Sequence, residues 1–128
     1  MSDFTRSGGF LPLRCSASRP RPGVCVAHLD GELDMGTAPV LADFLREQTA
    51  TRPDDLVLDL GGITLLAAAG LALIIDALHN DSGIHGRLHI TGVVGNRYVA
   101  RVLQITGLMQ VLDVHDDLQT LLNALHRS

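Results

Sequence analysis

Apolar residues along the chain fall into short runs of strand length and longer stretches with helical spacing. Val24 to Leu29 is rich in β-formers, and Leu56-Val57-Leu58-Asp59-Leu60 is a near-continuous apolar run bounded by turns, the pattern of a central buried strand. Arg87 to Thr91 and Val111 to Val114 read as two further strands. A shorter run at 10–15 precedes SASRPRPG, whose prolines, serines and Gly23 mark a loop, so the runs at 10–15 and 24–29 can pair as an antiparallel edge hairpin. Gly31 ends the second strand, and Gly61-Gly62 predicts a break or bulge before Ile63 to Leu66.

Four stretches have the helical period. Val40, Leu41, Phe44 and Leu45 recur at helical spacing within 38–50, with Thr37 placed to cap and Pro39 in the first turn. From Ala68 to Leu78 the sequence is apolar almost all round, so that helix is expected to be covered on one side by a sheet and on the other by neighbours or a partner. A third helix is expected over 95–106, stopped by Gly107, and a fourth after Asp116-Asp117, with Leu118, Leu121, Leu122 and Leu125 on one face. Residues 1–9 have no period and read as a flexible N-terminus. Strands alternating with helices imply an α/β fold over 10–126: one domain, a mixed four- to five-stranded sheet, about four helices and right-handed parallel crossovers.

The 128 residues suit one core, and 46% hydrophobic with 19% charged residues excludes wholesale disorder. A net charge of −4, scattered arginines and only three Phe and one Tyr argue against nucleic acid as a direct partner. No apolar run reaches the roughly 18 residues of a membrane span, and no signal peptide is legible, so a cytoplasmic protein away from the membrane is expected.

Catalytic and cofactor motifs are missing. The sequence contains no GxGxxG, no GxxxxGK, no GxSxG and no lysine, so neither an enzyme nor a cofactor is expected. His85 and His89 are four apart but straddle a loop-to-strand junction, and no metal site is expected from them. Asp30, Glu32 and Asp34 read as a solvated turn ahead of a helix. Cys15 and Cys25 lie on strands that can pair, which leaves a cross-strand redox pair open beside two free thiols.

The order Gly31-Glu32-Leu33-Asp34, Thr37-Ala38-Pro39, Leu56 to Leu60, Ile63 to Leu71 and Val99 to Leu108 resembles the STAS domain of bacterial anti-sigma factor antagonists over nearly the whole chain. The resemblance implies a single STAS-like domain. It also implies a partner: an anti-sigma factor with a kinase-like, ATP-binding fold, displaced from its sigma factor. In that family the segment after the central strand usually reads Asp-Ser-Ser/Thr-Gly-Leu, and its first serine is phosphorylated. Here it reads Ala67-Ala68-Ala69-Gly70-Leu71, so the acceptor position is Ala68 and carries no hydroxyl. Thr64, the nearest other hydroxyl, is expected inside the preceding strand or its turn.

Loss of a capping side chain at a helix start costs ~1 kcal/mol, and what remains is a small, uncharged surface suited to close contact. The expected partner surface is Asp34, Ala67, Ala68, Ala69, Gly70, Leu71 and Asp76, on a monomer or weak dimer that phosphorylation cannot switch off. Two other readings stay open: a redox- or ligand-sensing regulator using Cys15 and Cys25, and a scaffold subunit of a signalling complex.

Overall fold

The strand-forming runs assemble into one mixed sheet whose strands lie side by side in chain order. The computed structural model describes residues 4–7 and 13–125. Its strands are β1 (Phe4–Ser7), β2 (Leu13–Ser18), β3 (Val24–Leu33), β4 (Asp55–Leu66), β5 (Arg87–Thr91) and β6 (Asp113–Val114); its helices are α1 (Ala38–Gln48), α2 (Ala68–Leu78), α3 (Arg97–Ile105) and α4 (Leu118–Leu125). The five strands β2 to β6 carry the fold: β2 runs antiparallel to β3, and β3, β4, β5 and β6 are mutually parallel. The short β1 extends the sheet beyond β2, so the stretch expected as a flexible terminus contains a paired strand. Residues 1–3, 8–12 and 126–128 lie outside the described residues, and with them part of the run read at 10–15.

Strand alternation sends successive side chains to opposite faces. Cys25, Ala27 and Leu29 of β3, Leu56, Leu58 and Leu60 of β4, and Leu88 and Ile90 of β5 face one way, into a core closed by Leu41, Phe44 and Leu45 of α1, Leu73 and Ile74 of α2, and Val99 and Leu103 of α3. The other face carries Val24, Val26 and Val57, covered by Leu121 and Leu122 of α4. Burying a Leu or Phe side chain contributes about 1.5–3 kcal/mol, so the first core is the main source of stability.

One expectation about a strand end changes, and the expected break or bulge at Gly61-Gly62 is a bulge. Gly31 does not end β3; it sits inside that strand at φ +116°, where pairing with β4 carries the ladder through to Leu33. β4 likewise continues through Gly61-Gly62 to Leu66, accommodating two extra residues opposite β3: one between the pairs His28/Asp59 and Asp30/Gly62, one between Gly31/Ile63 and Glu32/Leu65. Each bulge shifts the alternation by one, so the core-facing positions run Leu58, Leu60, then Ile63, then Leu66. Glycine is required at the first bulge, because a Cβ on Gly62 would lie 2.9 Å from the Leu29 carbonyl oxygen.

Candidate functional site

The end of β4 delivers the chain to α2, and three contacts fix that junction. The Ala67 N–H donates to the Leu33 carbonyl at 2.9 Å, tying the helix start to the end of β3. The Leu66 N–H donates to the Tyr98 hydroxyl at 2.9 Å. Gly70 lets the first turn of α2 press onto Leu33, since a Cβ there would fall 2.6 Å from Leu33 Cγ. Asn96 secures α3 to the same place: its amide donates to the carbonyls of Leu60 (3.0 Å), Gly61 (3.3 Å) and Ile63 (2.8 Å), while its Oδ1 caps α3 by accepting from the Val99 N–H at 3.2 Å. Sequence reading missed Asn96 and Tyr98 as positioning residues, although an Asn just ahead of a helical run is an N-cap signal.

Ala67 occupies the N-cap position with extended backbone (φ −96°, ψ 175°), and no side chain caps α2. Ala68, Ala72 and Ile75 are exposed and one helical turn apart, forming an open apolar stripe, whereas Gly70, Leu73, Ile74 and Ala77 are buried. Ala67, Ala69, Leu71 and Asp76 are half-buried at its borders. Among the described residues no neighbour covers this stripe. A groove of about 320 Å³ runs between α1 and α2, lined by Met35, Ala42, Arg46, Ala69, Ala72 and Asp76 among others, and Met35 beside it is 82% exposed.

Asp34 lies next to this groove, but its carboxylate serves its own turn. Oδ1 accepts from the Gly36 N–H at 2.9 Å, the Thr37 N–H at 3.0 Å and the Thr37 hydroxyl at 3.2 Å. Thr37 is the N-cap residue of α1 by position, yet its side chain makes no cap bond; the hydroxyl sits 2.8 Å from the Glu32 carbonyl and accepts from the Asp34 N–H. The acidic segment thus builds the loop that presents Met35. Thr64 is exposed at the second bulge, with its hydroxyl 3.3 Å from the Gly31 carbonyl.

The cysteines do not form a redox pair. Cys15 pairs across the hairpin with Leu29, four residues along β3 from Cys25, and that offset is about 13 Å of strand. A disulfide needs Cα atoms within about 7 Å. Both cysteines are buried and outside any disulfide, and burial pushes the Cys25 thiol above its ordinary value against the opposing pull of Arg19. The switch read from their spacing is excluded by the hairpin register.

On the opposite face of the sheet the polar residues of β3 to β6 form two groups. His28 Nδ1 donates to Asp59 Oδ2 at 3.0 Å, and the Ser18 hydroxyl lies 3.0 Å from His28 Nε2. The bond from His28 holds the Asp59 carboxyl below its ordinary value, against burial and with help from the Gly61 N–H. Further along, His89 lies between Asp55 and Asp113, and His115 approaches the same Asp113 oxygen. Burial pushes Asp113 up, but the bonds from His89 and His115 outweigh it and the carboxyl stays low. The pairing of His85 with His89 considered from spacing is not what the fold assembles; His89 instead joins His115 and Asp113.

The fold and this junction define a small mixed α/β domain that presents a bare helix start and an apolar stripe. A family model described as "Mlab, STAS domain" matches residues 17–123, and the chain belongs to the STAS domain family. An anti-sigma factor antagonist from Mycobacterium paratuberculosis superimposes with a TM-score of 0.72 at 26% identity, over 89% of this chain and 94% of that one. The fold is shared with the anti-sigma factor antagonist SpoIIAA in its unphosphorylated form (TM-score 0.66, 16% identity, 88% and 94% of the two chains). It is shared too with the phosphorylated form of the Bacillus cell fate determinant SpoIIAA (TM-score 0.61, 15% identity, 88% and 97%). No curated protein sequence matches the chain. Among the described residues no helix is long and apolar enough to cross a membrane.

Proposed function

We propose that this protein is an anti-sigma factor antagonist that acts by binding, without phosphorylation at the family's acceptor position. The observation that carries the reading is the start of α2. Ala68 is exposed where a phosphorylated serine would stand, it has no hydroxyl, and it begins a stripe with Ala72 and Ile75 that no other part of the described chain covers. Small apolar side chains allow a partner's backbone or aromatic groups to approach closely, and a phosphate here would disrupt that contact through desolvation and charge.

The partner is an anti-sigma factor, of the kinase-like ATP-binding kind by family resemblance. It would meet the stripe, Met35 and the groove between α1 and α2. Asp76 at the groove edge favours a cationic residue opposite, contributing to orientation and association rate more than to affinity. Asp34 acts indirectly, through the turn that holds Met35 in place.

Capture of the partner by the protein as it stands, compared with Ala68→Asp and Ala68→Ser, tests this. The parent is expected to retain an ATP-binding anti-sigma factor, Ala68→Asp to lose it, and Ala68→Ser to bind until it is phosphorylated. Undiminished binding by Ala68→Asp would remove the α2 start from the interface.

A further inference from the structure

We propose that His89, Asp113 and His115 form a binding site for a divalent transition-metal ion of the zinc class, on the sheet face opposite α2. The strand geometry brings them together. β5 and β6 are parallel, with His89 directly opposite Asp113, so these two side chains leave the sheet side by side. His115 is two residues beyond Asp113, and its N–H continues the ladder by donating to the Ile90 carbonyl at 2.9 Å, which returns its side chain to the same face. His89 Nδ1 lies 2.6 Å and His115 Nε2 2.9 Å from the same oxygen, Asp113 Oδ2. The three ligand atoms all fall within 4.8 Å of one another. Tetrahedral bonds of about 2.0–2.2 Å set ligand atoms about 3.4 Å apart, so a metal fits among them once Asp113 Oδ2 moves about 0.5–0.8 Å away from the two ring nitrogens.

The surroundings of His89 give a second, independent reason. Its other nitrogen, Nε2, is 2.8 Å from Asp55 Oδ1, and both side chains are buried at 8% and 7% exposure. A carboxylate on the far nitrogen is the usual outer partner of a metal-binding histidine, fixing the ring and its tautomer. The opposite nitrogen, Nδ1, faces Asp113 Oδ2 at 2.6 Å, so a cation held there in place of a proton keeps the contact of Nε2 with Asp55. Arg87 Nε, 3.1 Å from Asp55 Oδ1, already balances Asp55, leaving Asp113 as the carboxylate for the ion.

The donor set selects the metal. Two imidazoles and one carboxylate suit zinc, and also copper or nickel; magnesium and calcium prefer oxygen alone. His89 is fixed from beneath, while Asp113 at 54% exposure leaves the outer side open for water to complete the coordination. The bound ion would join the edge of the sheet to the turn ahead of α4, remote from the α2 stripe.

Titration of the full chain with Zn²⁺, and with Co²⁺ as a coloured probe, tests the site. One equivalent of metal is expected, with the d–d absorption of a nitrogen- and oxygen-ligated Co²⁺, and with no comparable uptake of Mg²⁺ or Ca²⁺. Asp113→Asn, at an exposed position, and His115→Ala, at a half-buried one, should each weaken binding at least ~100-fold while the metal-free far-ultraviolet circular dichroism stays unchanged. Asp55→Asn should weaken it by about 10–100-fold. His28→Ala, in the other histidine–carboxylate pair, should leave it intact. Absence of saturable uptake would mean that the ion between His89 and Asp113 is a proton, and uptake that survives the Asp113→Asn/His115→Ala double variant would place the metal elsewhere; either result overturns the proposal.

Discussion

Replacing Gly70 with alanine tests how closely α2 is seated on the end of β3. The added methyl would lie 2.6 Å from Leu33 Cγ, 3.0 Å from its Cδ2 and 3.1 Å from its carbonyl oxygen. Carbon atoms in contact prefer about 3.5–4.0 Å, so the methyl is about 1 Å too close. Leu33 cannot swing aside: it is fully buried, and its carbonyl already holds the Ala67 N–H. Overpacking of this kind costs about 1–3 kcal/mol, whereas exchanging a helical glycine for alanine returns about 1 kcal/mol. Three contacts against one fixed residue put the cost at the upper end, leaving a net loss of about 2 kcal/mol, roughly 30-fold in the folding equilibrium. Urea unfolding of the parent and Gly70→Ala measures it. Ala72→Gly on the open side of the same helix calibrates the propensity alone, at a loss of about 1 kcal/mol. A Gly70→Ala protein as stable as the parent, or more so, would refute the close approach of α2 to β3.

Ala67→Ser should stabilise the fold by ~1 kcal/mol, because the backbone already has N-cap geometry and lacks only the oxygen; an unchanged thermal midpoint would contradict that. Asn96→Ala removes the α3 cap and three carbonyl contacts and should cost about 2–4 kcal/mol in denaturant unfolding, with Asn96→Asp, which keeps the cap oxygen, losing less. Asp59 has a folded pKa depressed by the His28 bond, so its contribution is complete above the unfolded value of about 4 and is lost as pH falls through the lower folded value. Asp59→Asn should therefore flatten the loss of stability as pH falls below about 4, modestly because the pair is about one-third exposed, and an unchanged acid limb would exclude the linkage.

The elements that the hydrophobic pattern located best are those with unambiguous ends. Helix α2 and strand β5 fall at Ala68–Leu78 and Arg87–Thr91 as read, because α2 is apolar almost all round, β5 alternates Leu88 and Ile90 with polar residues, and turn residues flank both. The bare α2 start was legible in the same way, as three alanines at a strand-to-helix junction. Long-range register was not. Gly31 looked like a terminator because local chemistry says nothing of the parallel partner that carries β3 past it. The distance between the two cysteines depended on how the hairpin aligned, and a separation of ten in sequence is silent on that. His89 and Asp113 meet only through the β5–β6 pairing, so the polar cluster on that face could not be found from histidine spacing.

The two bulges in β4 have a consequence that resembles arithmetic more than packing. Strand facing is a matter of parity: one extra residue turns every later side chain over, and a second turns it back. Leu66 reaches the core only because the count opposite β3 is even, and the α2 start inherits its direction from Leu66. Deleting one residue between Gly61 and Thr64 acts as a frameshift in space. It carries Leu66 to the solvent side and rolls Ala67 and Ala68 with it, while every residue downstream remains chemically the same. Deleting two restores the parity and shortens the strand. Length variation at this junction is therefore tolerated in pairs, and an odd change silences the α2 surface without altering a single atom of it.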